Sequence, residues 1–104
     1  AFSDCTSLSS IIIPESVTKI GNWAFSGCSS LKNITLPESV TAIGRYAFYE
    51  CTSLSSIIIP ESVTKIGNMA FAGCTSLKKI LLPKKVKLGH SVFHGCHPDL
   101  EIEK

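Results

Sequence analysis

Apolar positions recur along the chain in one pattern that repeats every 23 residues. In the copy that begins at Cys28, the residues Leu31, Ile34 and Leu36 are separated by mostly polar residues, and Pro37 follows. Alternating, β-branched apolar residues that stop at a proline predict a short strand with alternate side chains facing a core. The same positions in the other copies are Leu8, Ile11, Ile13 and Pro14; Leu54, Ile57, Ile59 and Pro60; and Leu77, Ile80, Leu82 and Pro83.

A second apolar pair and a glycine follow in each copy. Val17, Ile20 and Gly21 are the first such set, and they predict a shorter extended segment that ends in a turn where glycine supplies a positive φ. An Ala–Phe pair comes next, as in Ala24–Phe25. The stretch from this pair to the next cysteine is too short for a stable helix, so it predicts a single turn of 3₁₀ or α-helix.

The copies are regular enough to predict one array over residues 1–104. Cys5 to Asn22 and Cys51 to Asn68 are identical over 18 residues, and a period of this length is typical of stacked coils whose strands pair in parallel. The fourth copy lacks one residue between Val86 and Leu88, where we expect a distorted coil. We divide the chain into a partial repeat 1–4, repeats 5–27, 28–50, 51–73 and 74–95, and a C-terminal partial repeat or polar cap 96–104.

The pattern resembles the BspA-type, or Treponema pallidum-type, leucine-rich repeat family. The residues that carry the resemblance are Leu8, Ile11, Ile13, Pro14, Val17, Ile20, Gly21, Ala24, Phe25 and Cys28, with their equivalents up to Cys96. The resemblance implies a right-handed leucine-rich repeat solenoid of short parallel strands. It also implies a non-enzymatic protein, on the cell surface or secreted, that adheres to host matrix proteins or to other cells.

Composition excludes several other classes of protein. With 44% hydrophobic and 17% charged residues the chain is too apolar for disorder, and it has no apolar run as long as the ~18 residues of a membrane helix. A net charge of +2 argues against general nucleic-acid binding. Five of the ten basic residues do form a short run, which is either a solvated face or the site of an anionic partner: Lys78, Lys79, Lys84, Lys85 and Lys87.

Few residues could carry chemistry. All five cysteines occupy one repeat column, which favours buried, free thiols over nucleophiles, metal ligands or a disulfide framework. His90, His94 and His97 flank Cys96 and are the one cluster that could bind zinc, but solvated histidines at variable positions are the stronger interpretation. We therefore expect no cofactor and no functional metal.

Side-chain alternation predicts a binding face on the longer strands. If the leucine and isoleucine columns face inward, two neighbouring columns face solvent, and the second of them is aliphatic at three of its four positions. These columns are Ser10, Asn33, Ser56 and Lys79, and Ile12, Thr35, Ile58 and Leu81. Asn33 also begins an N-glycosylation sequon. A rival surface is the stripe Trp23, Tyr46 and Met69, since aromatic residues are enriched in interface hot spots.

These features predict a protein-binding module, with two alternatives. The array could be a structural spacer with a bland surface, or, less favoured, the last repeat could hold a metal-dependent site. Nothing suggests membrane insertion. We also expect an uncapped N-terminal coil, where Phe2 and the strand from Leu8 to Ile13 would offer an open edge for self-association.

Overall fold

The computed structural model describes residues 9–103, which wind into stacked coils with a short strand on each of two sides. One side carries the three-residue strands and the other the two-residue strands. The described residues contain no helix. The strands are β1 Ser10–Ile12, β2 Lys19–Ile20, β3 Asn33–Thr35, β4 Ala42–Ile43, β5 Ser56–Ile58, β6 Lys65–Ile66, β7 Lys79–Leu81, β8 Lys87–Leu88 and β9 Glu101–Glu103.

All strand pairs are parallel, as predicted. The two-residue strands form one continuous sheet in the order β2-β4-β6-β8, and Ile20 lies opposite Ile43 in its register. The three-residue strands form two separate sheets, β1-β3 and β5-β7-β9. We expected one ladder along this side, and the structure instead interrupts it between β3 and β5. The interruption opens a cleft in the surface that the strands present.

The core is a column of aligned side chains. Leu31, Leu54 and Leu77 are fully buried, as are the phenylalanines of the middle coils. The ring of Phe48 stacks between those of Phe25 and Phe71, with centroid distances of 5.3 and 5.1 Å. Such a pair contributes about 0.5–1.5 kcal/mol beyond the area it buries. The inward columns predicted from the sequence are therefore confirmed in the middle coils, whereas Ile11 in the first strand is partly buried and Leu8 lies outside the described residues.

The segment around the Ala–Phe pair is a series of single turns with the hydrogen bonds of the predicted 3₁₀ turn, and it does not continue into a helix. The amides of Ala24, Ser26 and Cys28 donate to carbonyls three residues earlier, as in 3₁₀ turns. The intervening amides of Trp23, Phe25 and Gly27 donate to carbonyls of the next coil, at 2.7–2.9 Å. A helix cannot propagate because every second donor is used between coils, and these bonds tie each coil to its neighbour.

The glycine that follows each two-residue strand is required by close packing and not by its backbone angles. The positive φ expected there is wrong, because the left-handed glycines are the ones before the cysteines: Gly27, Gly73 and Gly95. A Cβ added to Gly67 would lie 2.6 Å from the backbone N of Arg45 and 2.8 Å from the carbonyl carbon of Gly44. Neighbouring coils thus approach through a column without side chains.

The last coil is distorted where the residue is missing, as expected. β8 lies 22 residues after β6, and Leu88 is 42% exposed although its counterpart Ile66 is 2% exposed. The missing position is that of Thr41 and Thr64, whose hydroxyls donate to the preceding coil. After it, β9 adds a polar strand to β7, but Ile102 stays 48% exposed, so this strand covers the end only in part. Phe2 and Leu8, on which the predicted self-association rests, lie outside the described residues.

Candidate functional site

The surface of the three-residue strands has the predicted alternation of inward and outward side chains. In β3, β5 and β7 the central residue is buried and both neighbours are exposed. We call this surface the strand face. It consists of the eight predicted binding residues, all exposed: Ser10, Ile12, Asn33, Thr35, Ser56, Ile58, Lys79 and Leu81.

The second outward column places large aliphatic side chains in water. Ile12 is 81% exposed, Ile58 is 67% exposed and Leu81 is 37% exposed. Strand register sets Ile58 directly opposite Leu81, and Ile12 opposite Thr35. Ile58 and Leu81 are therefore neighbours in one sheet, whereas Ile12 lies beside Thr35 in the other sheet, on the far side of the interruption between β3 and β5.

A cleft of about 360 Å³ divides the strand face between β3 and β5. Four predicted residues line it, Asn33 and Thr35 on one wall and Ser56 and Ile58 on the other, above a floor that includes Leu36. Glu38 also lines this cleft, and none of the lysines or arginines in residues 9–103 does. Sequence reasoning missed both Glu38 and the cleft, because the sequence contains no signal for an interrupted ladder.

An ion pair between neighbouring strands lies at the C-terminal end of the strand face. Lys79 Nζ lies 3.7 Å from the Glu103 carboxylate on the neighbouring strand, and both side chains are about half exposed to solvent. An exposed pair at this distance contributes little to stability. Its effect is local, since it partly neutralises the one cation of the first outward column.

The rival aromatic stripe is assembled but partly covered. The rings of Trp23 and Tyr46 stack at 4.2 Å with an interplanar angle of 2°, and Tyr49 packs edge-on to both. Trp23 is 48% exposed, whereas Tyr46 and Met69 are half-buried. The three stripe residues also have φ of 56–64°, the left-handed region. The stripe is thus mainly a packed ladder with one exposed end.

The cysteine column forms a set of hydrogen-bonded thiols in the core. Cys28, Cys51 and Cys74 are buried cysteines outside any disulfide, and the thiol of Cys51 donates to the Phe25 carbonyl at 3.1 Å. The prediction that all five thiols are buried is wrong for Cys96, which is half-buried because it belongs to the last coil. Cys5 lies outside the described residues.

Burial controls the acidity of these thiols. Loss of hydration raises the pKa of Cys51 from an ordinary 9.0 to about 12, and the neighbouring Cys28 thiol adds to the shift. The pKa of Cys74 is raised further for the same reason. Because the folded-state pKa values are raised, the stability contributed by the protonated Cys51 thiol is complete below pH 9.0 and is lost as the pH rises toward about 12.

We expect Ellman's reagent at pH 8 to leave the buried thiols of the native chain unmodified and to modify Cys96 slowly. The reagent cannot reach a buried thiol, and such a thiol is protonated at pH 8 and therefore not nucleophilic. Unfolding in denaturant without reductant should release five reactive thiols. A count below five after unfolding would contradict free cysteines, and rapid modification of several thiols in the folded chain would contradict their burial.

The histidines do not converge with other ligands. Across residues 9–103, no three His, Cys, Asp or Glu side chains lie close enough together to hold a metal ion. His97 Nδ1 instead accepts the amide of Asp99 at 3.0 Å, and the thiol of Cys96 donates to the Phe71 carbonyl. The contacts described at this end of the array are thus a turn hydrogen bond and a core hydrogen bond.

Comparisons with known proteins agree with this geometry. The sequence model of the BspA type leucine rich repeat region matches residues 1–102 in six copies. No curated protein is significantly similar to the chain. Among the described residues, no helix is long and apolar enough to cross a membrane.

Three solved structures are similar. A Treponema pallidum leucine-rich repeat protein is 39% identical, with a TM-score of 0.93 over 98% of this chain and 48% of that protein. A Bacteroides ovatus leucine-rich repeat protein is 40% identical, with a TM-score of 0.90 over 100% of this chain and 27% of that one. A Faecalibacterium prausnitzii leucine rich cell surface protein is 27% identical, with a TM-score of 0.53 over 99% and 43%. The chain spans less than half the length of each.

Proposed function

This chain belongs to the BspA-type leucine-rich repeat family, and on that premise we propose that it is a protein-binding module of an adhesin-like surface or secreted protein. The proposed partner is a host matrix or cell-surface protein, and the proposed role is non-enzymatic. Family members are repeat proteins of the kind that commonly serve protein interaction, and one similar structure belongs to a protein named as a cell surface protein.

The observation that carries the proposal is the pair of exposed isoleucines on the strand face. Ile12 and Ile58 are 81% and 67% exposed. Each occupies an outward position of a strand, where a polar side chain would be the usual choice. Apolar side chains aligned on one face mark interaction surfaces, and their desolvation is the main source of binding free energy. Thr35, which interrupts the column, lines the cleft and would set the position of the partner.

The cleft supports a peptide segment as the element that is bound. Its walls carry the hydroxyl groups of Thr35 and Ser56 and the amide of Asn33, with the Ile58 side chain beside them. A groove with apolar surface and a few polar groups can orient a ligand while burying apolar area. Among the described residues Glu38 is the one charged residue that lines this cleft, and it favours a basic side chain on the partner.

The two alternative functions, a structural spacer and a metal-dependent site, require different surfaces. A structural spacer requires a bland surface, and the exposed isoleucines argue against one. A metal-dependent site on the last repeat requires converging ligands, which the described residues do not provide there. We therefore retain the spacer as the second hypothesis.

We expect the purified chain to bind one or more members of a panel of immobilised extracellular-matrix proteins, or whole cells, with saturation and at physiological salt. A reduced, heat-unfolded sample is the control, because binding should require the aligned strands. Saturable binding that is lost on unfolding supports the proposal. An absence of binding across the panel and the cells would favour the spacer.

A further inference from the structure

The second sheet carries a groove that the proposed function does not use. It runs across β2, β4, β6 and β8, has a volume of about 580 Å³, and lies on a different side of the coils from the strand face. Its floor includes Ala42 and the glycine column, Gly21, Gly44, Gly67 and Gly89. We call this surface the basic groove, because of the side chains along it.

Four cations line the basic groove, and none of the acidic residues within 9–103 does. Strand register aligns four residues in one column, in the order Lys19, Ala42, Lys65 and Lys87. The fourth cation is Arg45, which follows Gly44 and also lines the groove. Within residues 9–103 none of the four pairs with a carboxylate, since the ion pair found there joins Lys79 to Glu103. Glu38 faces the cleft instead, so the two surfaces carry opposite charge.

The spacing of these charges suits a ligand that extends along the array. Neighbouring strands lie about 4.8 Å apart, so cations in one column recur at multiples of that distance. Lysine binds an oxyanion as a point charge, and the guanidinium of Arg45 can bind one through two parallel hydrogen bonds. Ala42 leaves a hollow between Lys19 and Lys65, where a ring could lie against the sheet.

Across the face of the groove the backbone is already paired between neighbouring coils, which argues against a peptide strand added between them. The amides of Gly44, Gly67 and Gly89 donate to the carbonyls of the preceding coil at 2.7–2.8 Å. A peptide recognised by strand addition needs free backbone groups at a sheet edge. A ligand on this surface must instead use its charges and the flat apolar floor, as the C–H faces and anionic groups of a sugar polymer can.

We propose that the basic groove binds a linear anionic polysaccharide, laid along the array with its sulfate or carboxylate groups on Lys19, Arg45, Lys65 and Lys87. The protein then has two surfaces of different chemistry, an apolar strand face for a protein and a cationic groove for a glycan. The groove requires no partner at the strand face, so either surface can act without the other.

The test measures binding of the whole chain to immobilised heparin, used as a sulfated linear probe, at low and at physiological salt. Replacement of Lys19, Lys65 and Lys87 by Gln should weaken binding about tenfold, since each exposed ion pair contributes a factor of about two to five. The matched control replaces Lys32, Lys78 and Lys84 by Gln. It removes the same charge outside the groove and should change affinity by less than about threefold.

An uncharged variant and a competitor complete the test. Ala42→Leu fills the hollow without a change of charge, and it should weaken heparin binding while thermal unfolding stays near that of the parent. Equal losses in the two lysine triples would overturn the proposal, as would a parent chain that fails to bind heparin. Poly-glutamate that competes as well as heparin would also overturn it, by indicating an acidic protein. Changes on the strand face should leave heparin binding intact, so the two functions fail separately.

Discussion

Gly67→Ala should destabilise the chain by about 1–3 kcal/mol, although it adds a single methyl group to a turn. The new Cβ would meet the backbone N and Cα of Arg45 at 2.6 and 2.9 Å and the carbonyl carbon of Gly44 at 2.8 Å. Each contact is with backbone, which cannot rotate away, so the coils would have to separate. The same coils are joined there by the Gly67 amide and the Ile43 carbonyl at 2.8 Å.

The matched control is Gly21→Ala, in the same column. A Cβ at Gly21 has no atom of residues 9–103 within 4 Å, so alanine should be neutral or should stabilise by up to about 1 kcal/mol through the unfolded state. Thermal unfolding followed by circular dichroism measures both, with about 4–8 °C expected per kcal/mol in a domain of this size. Equal melting temperatures for the two variants would contradict the close packing of the coils.

The inward columns could be predicted from the sequence because burial imposes a period of two on each longer strand. Leu54, Ile57 and Ile59 are separated by residues that solvent tolerates, and all three are buried. Repetition strengthened the prediction, since the same alternation appears in each copy. Exposure of Ile12 and Ile58 followed from the same argument, because a residue between two inward side chains must face outward.

Other features depend on contacts between coils, which one repeat does not encode. Position 67 requires glycine because the backbone of Gly44 and Arg45 leaves no room for a Cβ. The sequence alone suggested that a positive φ was the reason for this glycine. Trp23 has a φ of 64°, a conformation that its residue type gives no reason to expect. The basic groove was missed because its strands have two residues each, too few to show a period. Lys19 and Lys65 are far apart in the sequence, and they line the same groove only because the coils stack.

Threonine in place of Ile12, Ile58 and Leu81 should weaken protein binding by about a hundredfold or more while it leaves the fold intact. Ile12 and Ile58 contribute little to the core because they are mostly exposed, whereas Leu81 is 37% exposed and should account for most of the loss of stability. Threonine is β-branched and therefore suits all three strand positions. Loss of about 1 kcal/mol of apolar burial at each position would weaken a complex by about a hundredfold or more. The melting temperature should fall by no more than a few degrees.

The comparison variant replaces the aromatic stripe, Trp23, Tyr46 and Met69, by serine. Serine is a suitable choice because Ser91 already occupies this column with a φ of 55°. The stacked rings contribute to packing, so this variant should lose more stability than the strand-face variant. Its binding should nevertheless stay within about threefold of the parent, provided that it is assayed well below its melting temperature.

The most direct test of the account is therefore the ratio of the dissociation constants of these two variants for the same immobilised protein ligand. Both must first show native circular dichroism at the assay temperature. We predict that the strand-face variant loses binding by about a hundredfold or more and that the aromatic variant retains it. Retained binding in the strand-face variant, together with loss in the aromatic variant, would contradict the assignment of the binding surface to the strand face.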